Sequence, residues 1–309
     1  MVLRVTPLLT DRDINSPIRV LLLGSDTDIG TTFLQHANAL TEFSVTPIDS
    51  QTFLADQGWH EDQQETYDFL VDALSVGKPF ASNYLEKITE LQQWAERNSI
   101  HAIMLSSVQV FSGMTDHSYE ETDTPDNDSK YAQNLIQIEQ RFLSYHENIV
   151  LRSGWLFGGT GNFSQGPTNK ENNFAQQTID FARNAEALPY RDDFTGCPTP
   201  ISDLIRVVFS LIKQRHYGAK NTGVYHYCCA EEVSWKNYAK AILMVASQYD
   251  NNIDGQDFLD EYESNAVGQD VRQSKQSLSC RQIFNHFGVK QRPWRTNLKN
   301  FIKGLYQDE

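Results

Sequence analysis

The chain has 309 residues and a formal charge of −14, which is length enough for a full α/β core with a smaller lobe beside it. The negative field argues against nucleic-acid phosphate or an anionic membrane surface as a partner. No apolar run approaches the ~18 residues of a membrane span. Met1–Leu9 carries a single arginine before Asp11-Arg12-Asp13, so no secretory signal and a cytoplasmic location are expected.

The first apolar run, Ile18–Leu23, stops at Gly24. Asp28, Ile29 and Gly30 then open an amphipathic stretch, Thr31–Leu40. Strand, tight turn and helix in that order present backbone N–H groups to a dinucleotide pyrophosphate. In related nucleotide folds the turn reads G-x-x-G-x-x-G, and its middle glycine falls here on Thr27, whose side chain crowds the closest backbone approach. The next strand candidate is Phe43–Ile48, with Asp49 at its end. That carboxylate lies about 20 residues past the turn, where it can accept from an adenosine ribose.

Strand candidates Asp68–Ala73, Ala102–Ser106 and Ile149–Arg152 alternate with helical stretches Tyr84–Glu96 and Tyr131–Tyr145. In the last of these, Leu135, Ile138, Phe142 and Tyr145 form one apolar stripe. The alternation predicts a Rossmann-like, doubly wound parallel sheet, with ligands beyond the strands' carboxyl ends.

After Gly158 the character changes. Residues 158–173 read as a polar surface loop and 173–185 as a helix. Gly223–Tyr227 reads as a strand, followed by a helix to Ala246 capped by Ser234, with Tyr238, Ala241, Ile242 and Val245 inside. Residues 250–276 are acidic and weakly periodic, as in a flexible excursion. The expected division is a dinucleotide-binding domain over 16–160, with 195–227 returning to it. Residues 161–194 and 228–309 then form a C-terminal substrate-binding lobe.

The four cysteines (197, 228, 229 and 280) form no C-x-x-C pair, and the eight histidines are scattered. Reduced thiols and no metal site are expected. Two features suit carbonyl reduction. Ser106 and Ser107 stand where a strand leaves the sheet, and Tyr131 opens the helix that follows. A hydroxyl can polarise a carbonyl while a phenol donates the proton and a nicotinamide the hydride.

These segments resemble the extended short-chain dehydrogenase/reductases, and among them the dTDP-4-dehydrorhamnose reductases, over nearly the whole chain. Leu105–Gly113 is similar to that family's Ser-Thr-Asp-Tyr-Val-Phe-x-Gly segment, with Ser107 at the catalytic hydroxyl. Asn83 matches an asparagine on the preceding helix, and Tyr119–Pro125 the loop before the active-site tyrosine, here Tyr131. Leu151–Phe157, Asp193–Leu204, Gly223–His226 with Ser234-Trp235, and Arg272–Leu278 resemble later family segments in order.

The resemblance implies NADH or NADPH held by Gly24, Asp28, Ile29, Gly30, Asp49 and Asn83, and a nucleotide-linked keto-sugar reduced by Ser107 and Tyr131. The acid at Asp49 leans towards NADH.

The chain departs from the family's Tyr-x-x-x-Lys: Leu135 holds the lysine position, and Lys130, adjacent to the tyrosine, points about 100° away on a helix. Reduction starts from a protonated phenol and suffers less from this loss than alcohol oxidation, which needs phenolate; an epimerase or dehydratase is therefore disfavoured. The competing expectation is a non-catalytic regulatory or scaffold protein, like the regulatory subunit of methionine adenosyltransferase, which resembles the same reductases. It would bind a protein partner or a second copy of itself.

Overall fold

The structure, a computed structural model, describes residues 16–55, 66–76, 83–159, 174–184, 193–253 and 274–307. Six strands form one parallel sheet: β1 (Ile18–Leu23), β2 (Phe43–Ile48), β3 (Phe69–Asp72), β4 (His101–Ser107), β5 (Ile149–Ser153) and β9 (Gly223–Tyr227). Their order is β2-β1-β3-β4-β5-β9. Strands covered on both faces must be apolar throughout, and β1, β3, β4 and β5 are buried almost end to end. The edge strand β2 is buried only at its two ends, Phe43 and Ile48, and tolerates Pro47, which cannot donate to a ladder.

The chain runs outward from β1 to β2 and then returns past β1 to β3. This reversal opens a crevice at the carboxyl ends of β1 and β3, the place where open α/β sheets bind ligands. Helices α1 (Asp28–Asn38) and α6 (Ile201–His216) pack together. So do α3 (Tyr84–Arg97) and α4 (Lys130–Leu143), and α4 lies on β4 and β5. A five-residue helix, α2 (Ser50–Leu54), follows β2.

The remaining elements stand beyond the sheet. Strands β6 (Trp155–Phe157) and β8 (Pro198–Pro200) pair with each other. Strand β7 (Phe194–Gly196) lies between β10 (Val233–Ser234) and β11 (Ser274–Gln276). Helix α7 (Trp235–Ala246) packs on α5 (Phe174–Arg183) and α9 (Arg295–Leu305), while α8 (Arg281–Phe287) rests on β9. Aromatic stacking fills this part: Trp155 lies on Trp235 at 3.8 Å, and Gly196 leaves room for the Trp155 ring.

Two sequence expectations change. Residues 274–276, assigned to a flexible excursion, form strand β11, because β7 supplies the ladder that a polar segment cannot provide for itself. Most of that excursion (254–273), and 160–173 of the expected loop, lie outside the described residues. Tyr145 stands beyond the end of α4 and is only partly buried, whereas Leu135, Ile138 and Phe142 are fully buried.

Candidate functional site

The turn after β1 is built around missing side chains. Gly24 has φ +82°, and a Cβ there would come within 2.8 Å of the Leu74 backbone nitrogen. A Cβ on Gly30 would run into the Gly24 carbonyl oxygen. Thr27 is buried and caps α1: its hydroxyl donates to the Gly24 carbonyl (2.7 Å) and accepts from the Gly30 N–H (3.0 Å). The side chain thus folds back into the turn and occupies one N–H of the helix terminus. The first N–H groups of an α-helix have no partner within it, and here those of Asp28 and Ile29 precede the capped one. The Asp28 side chain is buried, and a Cβ on Gly159 would lie 2.7 Å from its Cβ.

Asp49 and Asn83 take part in the scaffold. Asp49 caps α2, accepting from the Thr52 N–H (2.8 Å) and hydroxyl (2.7 Å), and the Thr52 N–H lowers its carboxyl pKa. Asp26 likewise accepts from the Ser50 N–H and hydroxyl. The Asn83 amide donates to the Leu54 carbonyl (3.2 Å), tying the start of α3 to the end of α2.

Asp72, which ends β3, is not among the residues the sequence singles out. It is fully buried and pairs in register with Leu23 of β1 and Met104 of β4. Its carboxylate accepts from the N–H groups of Leu74 (2.9 Å) and Ser75 (3.1 Å) and from the Ser75 hydroxyl. The Ser75 and Tyr84 hydroxyls are 2.8 Å apart. Burial raises the Asp72 pKa to about 6 despite these donors. Tyr131, the second residue of α4, is close enough to feel it: burial first, then the Asp72 charge, push its phenol far above the usual range. Leu135, one turn further on, is wholly buried in the apolar core. An acid closing the run Phe69-Leu-Val-Asp72 was the one sequence signal available.

At the end of β4 the two serines diverge. Ser106 donates to Glu139 (2.5 Å), and Glu139 is held by Arg152 through Nη2 (2.7 Å) and Nε (3.0 Å). The buried Ser107 hydroxyl accepts from the Gln109 N–H (3.2 Å), capping a short turn of 3₁₀ helix. The Arg152 guanidinium lies over the Phe111 ring, which stacks on Tyr119. Arg152 Nη1 stands 3.4 Å from His226 Nε2, and His226 Nδ1 is 3.1 Å from the Tyr119 carbonyl oxygen. The carbonyl can only accept, so the proton sits on Nδ1. Burial and Arg152 hold the imidazole neutral, with a pKa of about 3. All four cysteines are free and buried, and no metal-ligating cluster occurs among the described residues. Nor is any described helix long and apolar enough to cross a membrane.

A parallel sheet wrapped by helices, with a glycine turn at its switch point, defines a Rossmann-like α/β protein. The chain belongs to the RmlD substrate binding domain family, whose model matches residues 85–307. It is similar in structure to a dTDP-4-dehydrorhamnose reductase from Clostridium acetobutylicum: TM-score 0.71 and 18% identity, over 93% of this chain and 99% of that one. A Bacillus anthracis dTDP-4-dehydrorhamnose reductase in complex with NADP gives 0.69 and 18%, with the same coverage. A UDP-glucose 4-epimerase from Thermotoga maritima, with UDP-glucose, gives 0.65 and 13% over 94% and 99%. No curated protein sequence matches the chain.

Proposed function

We propose that this chain binds a nicotinamide dinucleotide, NADH or NADPH, together with a nucleotide-linked keto-sugar along the carboxyl edge of its sheet, and works in the direction of reduction. The reading is supported by the match to the RmlD substrate binding domain family and by the glycine turn after β1, and Tyr131, whose phenol burial and the Asp72 charge keep protonated, suits a proton donor. A proton donor must start in that form. Gly24, Asp28, Ile29 and Gly30 would hold the pyrophosphate, Asp49 the adenosine ribose, and Asn83 the border of the cleft. The turn fits this task, since added Cβ atoms would collide there. A bound dinucleotide supplies the hydride. Tyr131 donates the proton to the substrate oxygen, and the Ser107 hydroxyl orients that oxygen. Asp49 favours NADH, since an acid there repels a 2′-phosphate. Four free thiols fit a reducing cytoplasm.

Without an ammonium at Leu135, turnover is expected to be slow, by on the order of 10²–10⁴. A second reading, a regulatory or scaffold protein acting on a partner chain, is favoured by Thr27, whose hydroxyl already takes one N–H of the phosphate turn. Adding NADH or NADPH to the purified protein tests both: quenched tryptophan emission or a raised melting temperature is expected. A flat response to both removes every cofactor-based account. If binding is seen, turnover of a dTDP-keto-sugar that is lost in Tyr131→Phe and raised in Leu135→Lys supports the reductase. No turnover from any version, with a co-purifying protein, supports the second reading.

A further inference from the structure

We propose that the buried carboxylate of Asp72 makes this cleft prefer the oxidised, cationic nicotinamide ring over the reduced, neutral one. The inference rests on the dinucleotide reading above and concerns which redox form is held. Strand order carries it. The phosphate turn follows β1, Ser107 and Tyr131 belong to β4 and the helix after it, and β3 lies between. Strands are spaced about 4.8 Å apart, so β1 and β4 are about 10 Å apart. A dinucleotide seated on Gly24 and reaching towards Tyr131 must therefore cross the end of β3. That floor is Asp72 to Ser75: Leu74 packs under Gly24, and the Thr27 hydroxyl approaches the Ala73 carbonyl oxygen.

Asp72 is solvated from below by Leu74, Ser75 and, through Ser75, Tyr84. The ionisable groups facing it are Tyr84 from α3 and Tyr131 from α4, and both phenols stay neutral near pH 7 because burial and Asp72 itself raise their pKa values. No lysine or arginine bonds to Asp72 among the described residues. Its charge is therefore met only by neutral donors, and it acts through a poorly screening interior. The pyrophosphate charge is the same in both redox forms, so its repulsion cancels when the two are compared. What remains is the ring, positive when oxidised and neutral when reduced. The same field favours loss of hydride from the reduced ring, since positive charge then grows beside a fixed carboxylate.

The test is the ratio of dissociation constants, Kd(NADH)/Kd(NAD⁺), from tryptophan quenching of the full chain at pH 7.5 and pH 5.0. A unit charge about 10 Å away in a protein interior predicts a roughly tenfold larger ratio for the wild type at pH 7.5 than for Asp72→Asn. Acidification to pH 5.0, below the Asp72 pKa of about 6, should bring the wild-type ratio towards that of the variant without any mutation. A ratio that is equal in both proteins and unmoved by pH overturns this inference and leaves the dinucleotide reading standing. Failure of the wild type to bind either redox form overturns both.

Discussion

Two buried ionisable clusters lie along the same sheet edge and are built in opposite ways. At the β5 side, Glu139 is matched by the Arg152 guanidinium and the Ser106 hydroxyl, and His226 is kept neutral beside them. At the β3 side, Asp72 accepts from neutral donors and keeps its charge at the cost of a raised pKa. The first arrangement spends its charge internally and fixes β4, β5, β9 and α4 to one another. The second leaves a carboxylate that only neutral donors answer. Burial is common to both clusters; the presence of a matching counter-charge separates them.

The largest effect should come from breaking the matched cluster. Arg152→Met leaves Glu139 buried and uncompensated, and a loss of about 3–5 kcal/mol is expected in denaturant unfolding. A near-unchanged midpoint would mean that Glu139 is not held as drawn. Next comes pH. The His226 pKa is depressed from 6.5 to about 3, so its stabilisation is full above 6.5 and is lost as pH falls towards 3, at about 1.4 kcal/mol per unit. His226→Gln should flatten that acid limb in melting temperatures measured between pH 7 and 4.5.

Asp72 should show the reverse sign. Its folded pKa, about 6, is above the ordinary carboxylate value of 3.8. Its contribution is therefore full below 3.8 and is lost as pH rises through 6. Asp72→Asn is expected to gain up to about 3 kcal/mol over the wild type at pH 7.5 and nothing at pH 4. A gain independent of pH would remove the carboxylate as its cause. The smallest effect belongs to Thr27→Gly, which gives up a helix cap for roughly 1 kcal/mol or less. By freeing the Gly30 N–H, it should also tighten dinucleotide binding severalfold by calorimetry.

Much of the fold could be read from the chain. The strands Ile18–Leu23, Phe43–Ile48 and Gly223–Tyr227 have the boundaries their apolar runs suggest. Helix α6 carries its own signal, since Leu204, Ile205, Val208, Leu211 and Ile212 repeat at helical spacing. Strands β6, β7, β8, β10 and β11 are two or three residues long. Elements that short have no period to detect.

The candidate site was legible as residue types and opaque as partnerships. Ser107 and Tyr131 stood out by order and spacing, yet Ser107 also caps a turn of helix, and Asp49 and Asn83 make local bonds alongside any role towards a ligand.

From its sequence alone, this protein's layered sheet and glycine turn follow, because apolar periodicity and backbone sterics act over a few residues. Which charges face one another is a different matter. Asp72 meets Tyr131 across 59 positions and Glu139 meets Arg152 across 13, and only the packed structure decides that one is answered by a cation and the other is not. The reason is that electrostatic influence depends on distance and burial, and neither exists until the chain has folded.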